Sequence, residues 1–137
     1  NDNYDLENSH FIPALIKKLH LCKTNKSKYL EIWGTGKPKR EVLFVDDLAN
    51  ACVYFMNKKI NETIINIGTG KEYTILEYAK KISKIIKTNP KIKYNKTQNE
   101  GVYSKVLSVT KAKKYGWRYK TSFKKGIEIT YNHFLQN

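Results

Sequence analysis

These 137 residues predict a mixed α/β fold that is incomplete as a sheet. Three observations carry that expectation. Apolar residues recur at helical spacing in several runs, and short β-branched or aromatic runs lie between them. Gly-x-Gly turns at 34–36 and 68–70 punctuate the pattern. The strands are few and short, while the apolar run 63–67 is composed for burial on both faces, so it is expected to dock onto a larger sheet.

The elements follow in order. Asn8 or Ser9 is placed to cap a first helix whose inward residues are Phe11, Ile12, Leu15, Ile16 and Leu19. Pro13 is tolerated in its first turn, and the polar stretch 24–27 ends it. Residues 29–33 read as a strand, 34–36 as a tight turn and 41–45 as a second strand, which sets Trp33 and Arg40 across a hairpin. Asp46 or Asp47 then caps a helix with Leu48, Ala51, Cys52 and Phe55 on one side; a cap is the better reading of this pair than a metal site. After 63–67, Thr74 opens a helix that turns Ile75, Tyr78, Ala79, Ile82, Ile85 and Ile86 inward, and Pro90 closes its region. Residues 91–94 alternate as a strand, and 105–109 form a weak extended segment. Thr110 caps a short helix that stops at Gly116-Trp117, and Ser122 opens a last, mostly apolar one.

Length bounds the chain to one modest domain, residues 1–137. No stretch approaches the roughly 20 apolar residues of a membrane span, and no signal peptide is visible. A first residue Asn1 rather than Met reads as a cut. The net charge of +14 invites a nucleic-acid reading, but it comes from 24 lysines and only two arginines, spread without a basic block. No RNA-binding motif accompanies it, so no specific nucleic-acid partner is expected, only a general attraction for phosphate-bearing ligands. Cys22 and Cys52 lie in helical patterns without metal or disulfide spacing. They are expected to be buried small hydrophobes in a protein of the reducing cytoplasm.

Neither Gly-x-Gly has the third glycine or the Lys-Ser/Thr of a phosphate loop, so both are read as tight turns. Trp33 and Arg40 are the more informative pair. An aromatic face suits a nucleotide base, and a planar, permanently charged fork suits a diphosphate. The alternatives are a core aromatic and a surface ion pair of Arg40 with Glu41 or Asp46. His10 is either structural or a general acid, because imidazole titrates near neutrality.

Asn8-Ser9-His10-Phe11-Ile12-Pro13-Ala14-Leu15, then Trp33-Gly34-x-Gly36-x-Pro38-x-Arg40-Glu41 and Phe44-Val45-Asp46-Asp47-Leu48-Ala49, resemble the substrate side of the GDP-L-fucose synthases. Those enzymes are extended short-chain dehydrogenases. Asn66-Ile67-Gly68-Thr69-Gly70, Thr74-Ile75-x-Glu77 and Gly116-Trp117 continue the likeness along nearly the whole chain. The resemblance implies that residues 1–137 are the C-terminal, substrate-binding domain of a larger NADP-dependent enzyme with a Rossmann-type cofactor half. That enzyme would epimerise GDP-4-keto-6-deoxy-D-mannose at C3 and C5 and reduce it at C4 with NADPH, giving GDP-L-fucose. His10 would be the general acid and also line the nicotinamide pocket. Lys18 would meet the diphosphate, Arg40 the diphosphate or sugar and Trp33 the guanine side, and Lys105 would be a further basic substrate contact. The family's cofactor turn, its Ser and Tyr-x-x-x-Lys residues and its cysteine base are not in this sequence, and Ser108 stands where an aspartate is expected. NADP(H) would therefore be held mainly outside these residues, as would the contacts of a homodimer. Other nucleotide-sugar epimerases and dehydratases share part of the pattern.

Overall fold

The structure, a computed structural model, describes residues 2–6, 8–98 and 100–136. Helix α1 (Phe11–Lys23) leads into strand β1 (Tyr29–Trp33), β2 (Lys39–Glu41) and helix α2 (Val45–Met56). A long connection reaches β3 (Glu72–Thr74), helix α3 (Ile75–Ile86), β4 (Lys91–Asn95) and β5 (Ser104–Lys105). Helices α4 (Thr110–Lys114) and α5 (Phe123–Gln136) close the chain.

Two small sheets replace the expected hairpin. β1 pairs in parallel with β4, from Tyr29 opposite Lys91 to Trp33 opposite Asn95. β2 lies at the centre of a second sheet, antiparallel to β3 and parallel to β5. Trp33 and Arg40 therefore stand on strands of different sheets. The cause is local: Gly34 and Gly36 both have positive φ, 67° and 71°, and carry the chain off the line of β1. Backbone groups of the turn region then serve α3, because Leu76 N–H donates to the Gly36 carbonyl and Ile75 N–H to that of Pro38. These are two of the donors that the first turn of a helix leaves without a partner.

Alternation along β1 buries Leu30 and Ile32 and leaves Tyr29, Glu31 and Trp33 on the other face. The buried pair meets Leu15, Ile16 and Leu19 of α1 and Tyr78, Ile82 and Ile86 of α3, with Ile127 and Tyr131 of α5 closing the core. The capping box predicted at Thr74 is present: its hydroxyl accepts from Glu77 N–H, and Glu77 accepts from Thr74 N–H. A second cluster gathers Ala51, Ala112 and Trp117, whose indole N–H donates to Asn50.

Further expectations need correction. Residues 63–67 form no strand. Ile65 and Ile67 pack half-buried beside the second cluster, while Ile64 is 70% exposed. The run is composed for a sheet interior, and among the described residues no strand offers its backbone a ladder. The second strand ends at Glu41 rather than Val45, and β3, which periodicity did not suggest, pairs with it. His10, not Asn8 or Ser9, is the N-cap residue of α1, Phe44 that of α2 and Val109, not Thr110, that of α4, in each case without a side-chain capping bond. Cys22 is buried as expected, but Cys52 is exposed.

It lies on an outward stripe of α2. Val45, Leu48, Ala49, Cys52, Val53 and Met56 are all exposed and recur at three- and four-residue spacing. No helix among the described residues is long and apolar enough to cross a membrane.

Candidate functional site

The strand β1, the first turns of α1 and the start of β2 enclose a cleft of about 200 Å³ lined by Ser9, Phe11, Lys18, Trp33, Arg40 and Glu100, among others. Three of the residues singled out in the sequence, Lys18, Trp33 and Arg40, meet there. The space admits one part of a nucleotide sugar rather than all of it, because sites for larger ligands begin at roughly 300 Å³.

Lys18 is placed by helical spacing: it sits one turn beyond Ala14 on the face that α1 turns toward β1. Its ammonium donates to the Glu31 carbonyl at 3.2 Å and lies 5.2 Å from the centre of the Trp33 ring. Burial pulls its pKa below the ordinary lysine value, partly offset by the Glu31 carboxylate. Trp33 is 43% exposed, so its ring presents area to a ligand even with Lys18 near it.

Arg40 forms no ion pair with Glu41 or Asp46. Its Nη1 donates to the carbonyls of Lys39 at 2.7 Å and Val102 at 2.6 Å, and Nη2 to that of Glu100 at 3.3 Å. The Nε edge of the fork makes no bond among the described residues, and so retains donors for an anion. Lys105 is exposed on β5, directly opposite Arg40 in the register. It does not line the cleft. Neither does His10, although Ser9 and Phe11 on either side of it do; its imidazole is exposed at the N-terminus of α1.

Both Gly-x-Gly turns lead into strands rather than helices. Both are also engaged from within. Thr35 N–H donates to the Glu100 carboxylate, while Thr69 N–H and Gly70 N–H donate to that of Glu41. Neither turn is a free phosphate cradle, because carboxylates of this chain already take these N–H groups.

Sequence reasoning missed several residues. Glu31 was legible in principle, since the alternation that buries Leu30 and Ile32 puts it on the face of Trp33. Ser9, whose buried hydroxyl makes no hydrogen bond among the described residues, was read only as a cap. Glu100 comes from a loop without periodicity and carried no signal. Ser108 is exposed, and its carbonyl accepts from Asn66 at 3.4 Å.

This small mixed α/β fold, with Lys18, Trp33 and Arg40 lining one cleft, has its structural neighbours among the extended short-chain nucleotide-sugar enzymes. Residues 1–68 match the NAD dependent epimerase/dehydratase family. Over 137 residues the chain is 38% identical to GDP-L-fucose synthase 1 of Arabidopsis thaliana, covering 100% of this chain and 42% of that protein. A GDP-L-colitose synthase of Yersinia pseudotuberculosis is 39% identical over 98% of this chain and 44% of its own. The structure of a GDP-L-fucose synthetase from Naegleria fowleri bound to NADP superposes with a TM-score of 0.87 at 26% identity, over 99% of this chain and 43% of that one. Residues 1–68 thus match the epimerase/dehydratase family, and the chain aligns from end to end with the GDP-L-fucose synthases, spanning less than half of their length.

Proposed function

We propose that residues 1–137 are the substrate-binding domain of a GDP-L-fucose synthase. In this reading the whole enzyme takes GDP-4-keto-6-deoxy-D-mannose through C3/C5 epimerisation and NADPH-dependent reduction at C4, in the cytoplasm. The observation that carries it is the convergence of Lys18, Trp33 and Arg40 on one cleft, from segments 22 residues apart at their ends. Trp33 takes the guanine side. The open edge of Arg40 takes the diphosphate, with Lys18 and Lys105 adding charge at either side. His10, whose exposed imidazole makes no hydrogen bond among the described residues, returns a proton to the carbon from which epimerisation removed one. The cleft that its neighbours line brings the sugar toward it. This chain alone transfers no hydride.

NADP(H) is held mainly by residues outside these 137, with His10 as this chain's contact to it. The outward stripe of α2 and the unpaired run 63–67 support a cofactor half packed on this side, and a homodimer would form through that half. The GDP-L-colitose synthase is as similar as the GDP-L-fucose synthase, so the GDP end common to both names is the first thing to test.

The test is competitive binding to the whole protein by GDP-, UDP- and dTDP-sugars. GDP-sugars should bind best. Arg40→Ala should weaken them by about 10- to 100-fold, the loss of charge-assisted hydrogen bonds, while Lys125→Ala on α5 leaves them unchanged. His10→Asn should keep binding and slow epimerisation. Equal binding of all three nucleotides, or equal effects of the Arg40 and Lys125 variants, would remove the reading.

A further inference from the structure

Arg40 and Glu41 are neighbours on β2, and alternation along a strand sends their side chains to opposite faces. Both grip the same stretch of chain, residues 100–107. Arg40 takes the carbonyls of Glu100 and Val102, ahead of β5. Glu41 takes the N–H of Leu107 on its Oε2 at 2.7 Å, beyond β5. Its Oε1 accepts from Thr69 N–H, from Gly70 N–H at 2.6 Å and from the Thr69 hydroxyl at 3.1 Å. A side chain at position 68 would run into this carboxylate, so Gly68 leaves the room that the arrangement needs.

Four donors from two distant segments thus converge on one carboxylate. None of the ion pairs among the described residues involves it. Between the two grips lies β5, two residues long, with register pairs only at Ser104 and Lys105. So short a ladder does not by itself offset the entropy lost in ordering an exposed segment. Bonds to a carboxylate are the stronger, charge-assisted kind. The Lys105 ammonium meets no acceptor among the described residues, so its own side chain does not fix the segment either.

We propose that Glu41 is a positioning residue: by holding Leu107 and the Gly68–Gly70 turn together, it keeps Lys105 beside Arg40 at the diphosphate end of the cleft. This rests on the reading of Arg40 and Lys105 as diphosphate contacts. Glu41 itself touches no ligand.

The experiment uses the whole enzyme with GDP and guanosine as probes. Glu41→Gln keeps one acceptor oxygen and turns an NH2 toward the other set of N–H donors. GDP affinity should fall about tenfold, with guanosine affinity unchanged. Hydrogen exchange at the Leu107 amide should quicken. In the Lys105→Ala background, Glu41→Gln should cost little more, because the two act through one contact. If Glu41→Gln does not fold, Leu107→Pro deletes the donor instead and must give the same GDP-selective loss. Equal weakening of GDP and guanosine would reduce Glu41 to a structural residue, and additive losses with Lys105→Ala would overturn the proposal as well. Unchanged exchange at Leu107 would overturn the clamp itself. A wild-type enzyme that does not favour GDP over UDP sinks the functional reading instead, and Leu107 exchange then still decides whether the clamp exists.

Discussion

Asp47 shows how one side chain can be read correctly as important and wrongly as to its task. An aspartate at the start of a helix is ordinarily a cap, and the pair Asp46-Asp47 fits that pattern. Both do fall in the first turn of α2, where negative charge is favoured by the helix dipole. Yet Asp47 is only 5% exposed and reaches away from its own helix. Its two oxygens accept from the N–H groups of Lys120 and Thr121, each at 2.9 Å, which ties α2 to the segment entering α5. Burial raises its carboxyl pKa, but these donors together with the Lys120 charge outweigh it and leave the pKa below the ordinary aspartate value. A carboxyl depressed by folding contributes stability above its unfolded pKa, about 3.9, and loses it as pH falls through the lower folded value. Asp47→Asn should therefore cost about 1–3 kcal/mol at neutral pH. The gap to wild type should close in strong acid, where the wild-type carboxyl is itself protonated. Urea midpoints at pH 7 and at pH values below that range check this. A gap of constant size would mean that the loss lies in packing and not in the charge.

Elements were legible where their information is local. α3 carries its own start signal in Thr74 and Glu77 and a strict apolar face, and both survive in the structure. Thr74→Ala should cost about 1 kcal/mol, seen as a lower urea midpoint, with Thr74→Ser restoring most of it. No shift would mean that the helix is held by tertiary packing alone. The helix ends at Lys87, which has φ 62° and so adopts the left-handed conformation that glycine favours. The first strand was legible for the same reason, since 29–33 alternates cleanly and its outward face holds Glu31 and Trp33 near Lys18 of α1. What could not be read was pairing. The sequence order of 29–33 and 41–45 suggested a hairpin, but β1 pairs with β4, some 60 residues on, and no spacing rule encodes such a partner. β3 and β5, of three and two residues, are too short to carry a period at all. The candidate site divides along the same line. Lys18, Trp33 and Arg40 sit on or beside elements with clear patterns and do meet. Glu100 and the grip of Glu41 on Leu107 depend on the loop 96–103 and on contacts over 66 residues, where composition says little.

At the scale of the molecule, the described residues form a main core and a smaller cluster, and leave the outward face of α2 uncovered. α1, α3 and α5 share the core with β1, whereas α2 buries Ala51 and Asp47 on one side and turns six apolar residues outward on the other. Met56 is 83% exposed, and Ile64 from the unpaired run 63–67 adds a further apolar residue to the exposed surface. Contiguous apolar surface of this kind marks a contact site or an aggregation hazard. The relatives are more than twice as long as this chain, which supplies an occupant: the cofactor half proposed above. Burying a valine or methionine side chain is worth about 1.5–3 kcal/mol, so Val53→Lys with Met56→Lys should act in opposite directions in the two settings. In the whole enzyme the pair should lower the melting temperature and weaken NADP(H) binding, because the two halves lose their contact. In residues 1–137 expressed alone, it should reduce self-association, measured by light scattering at matched concentration. A whole enzyme indifferent to both lysines would leave the stripe as free surface and would place the cofactor half elsewhere on the domain.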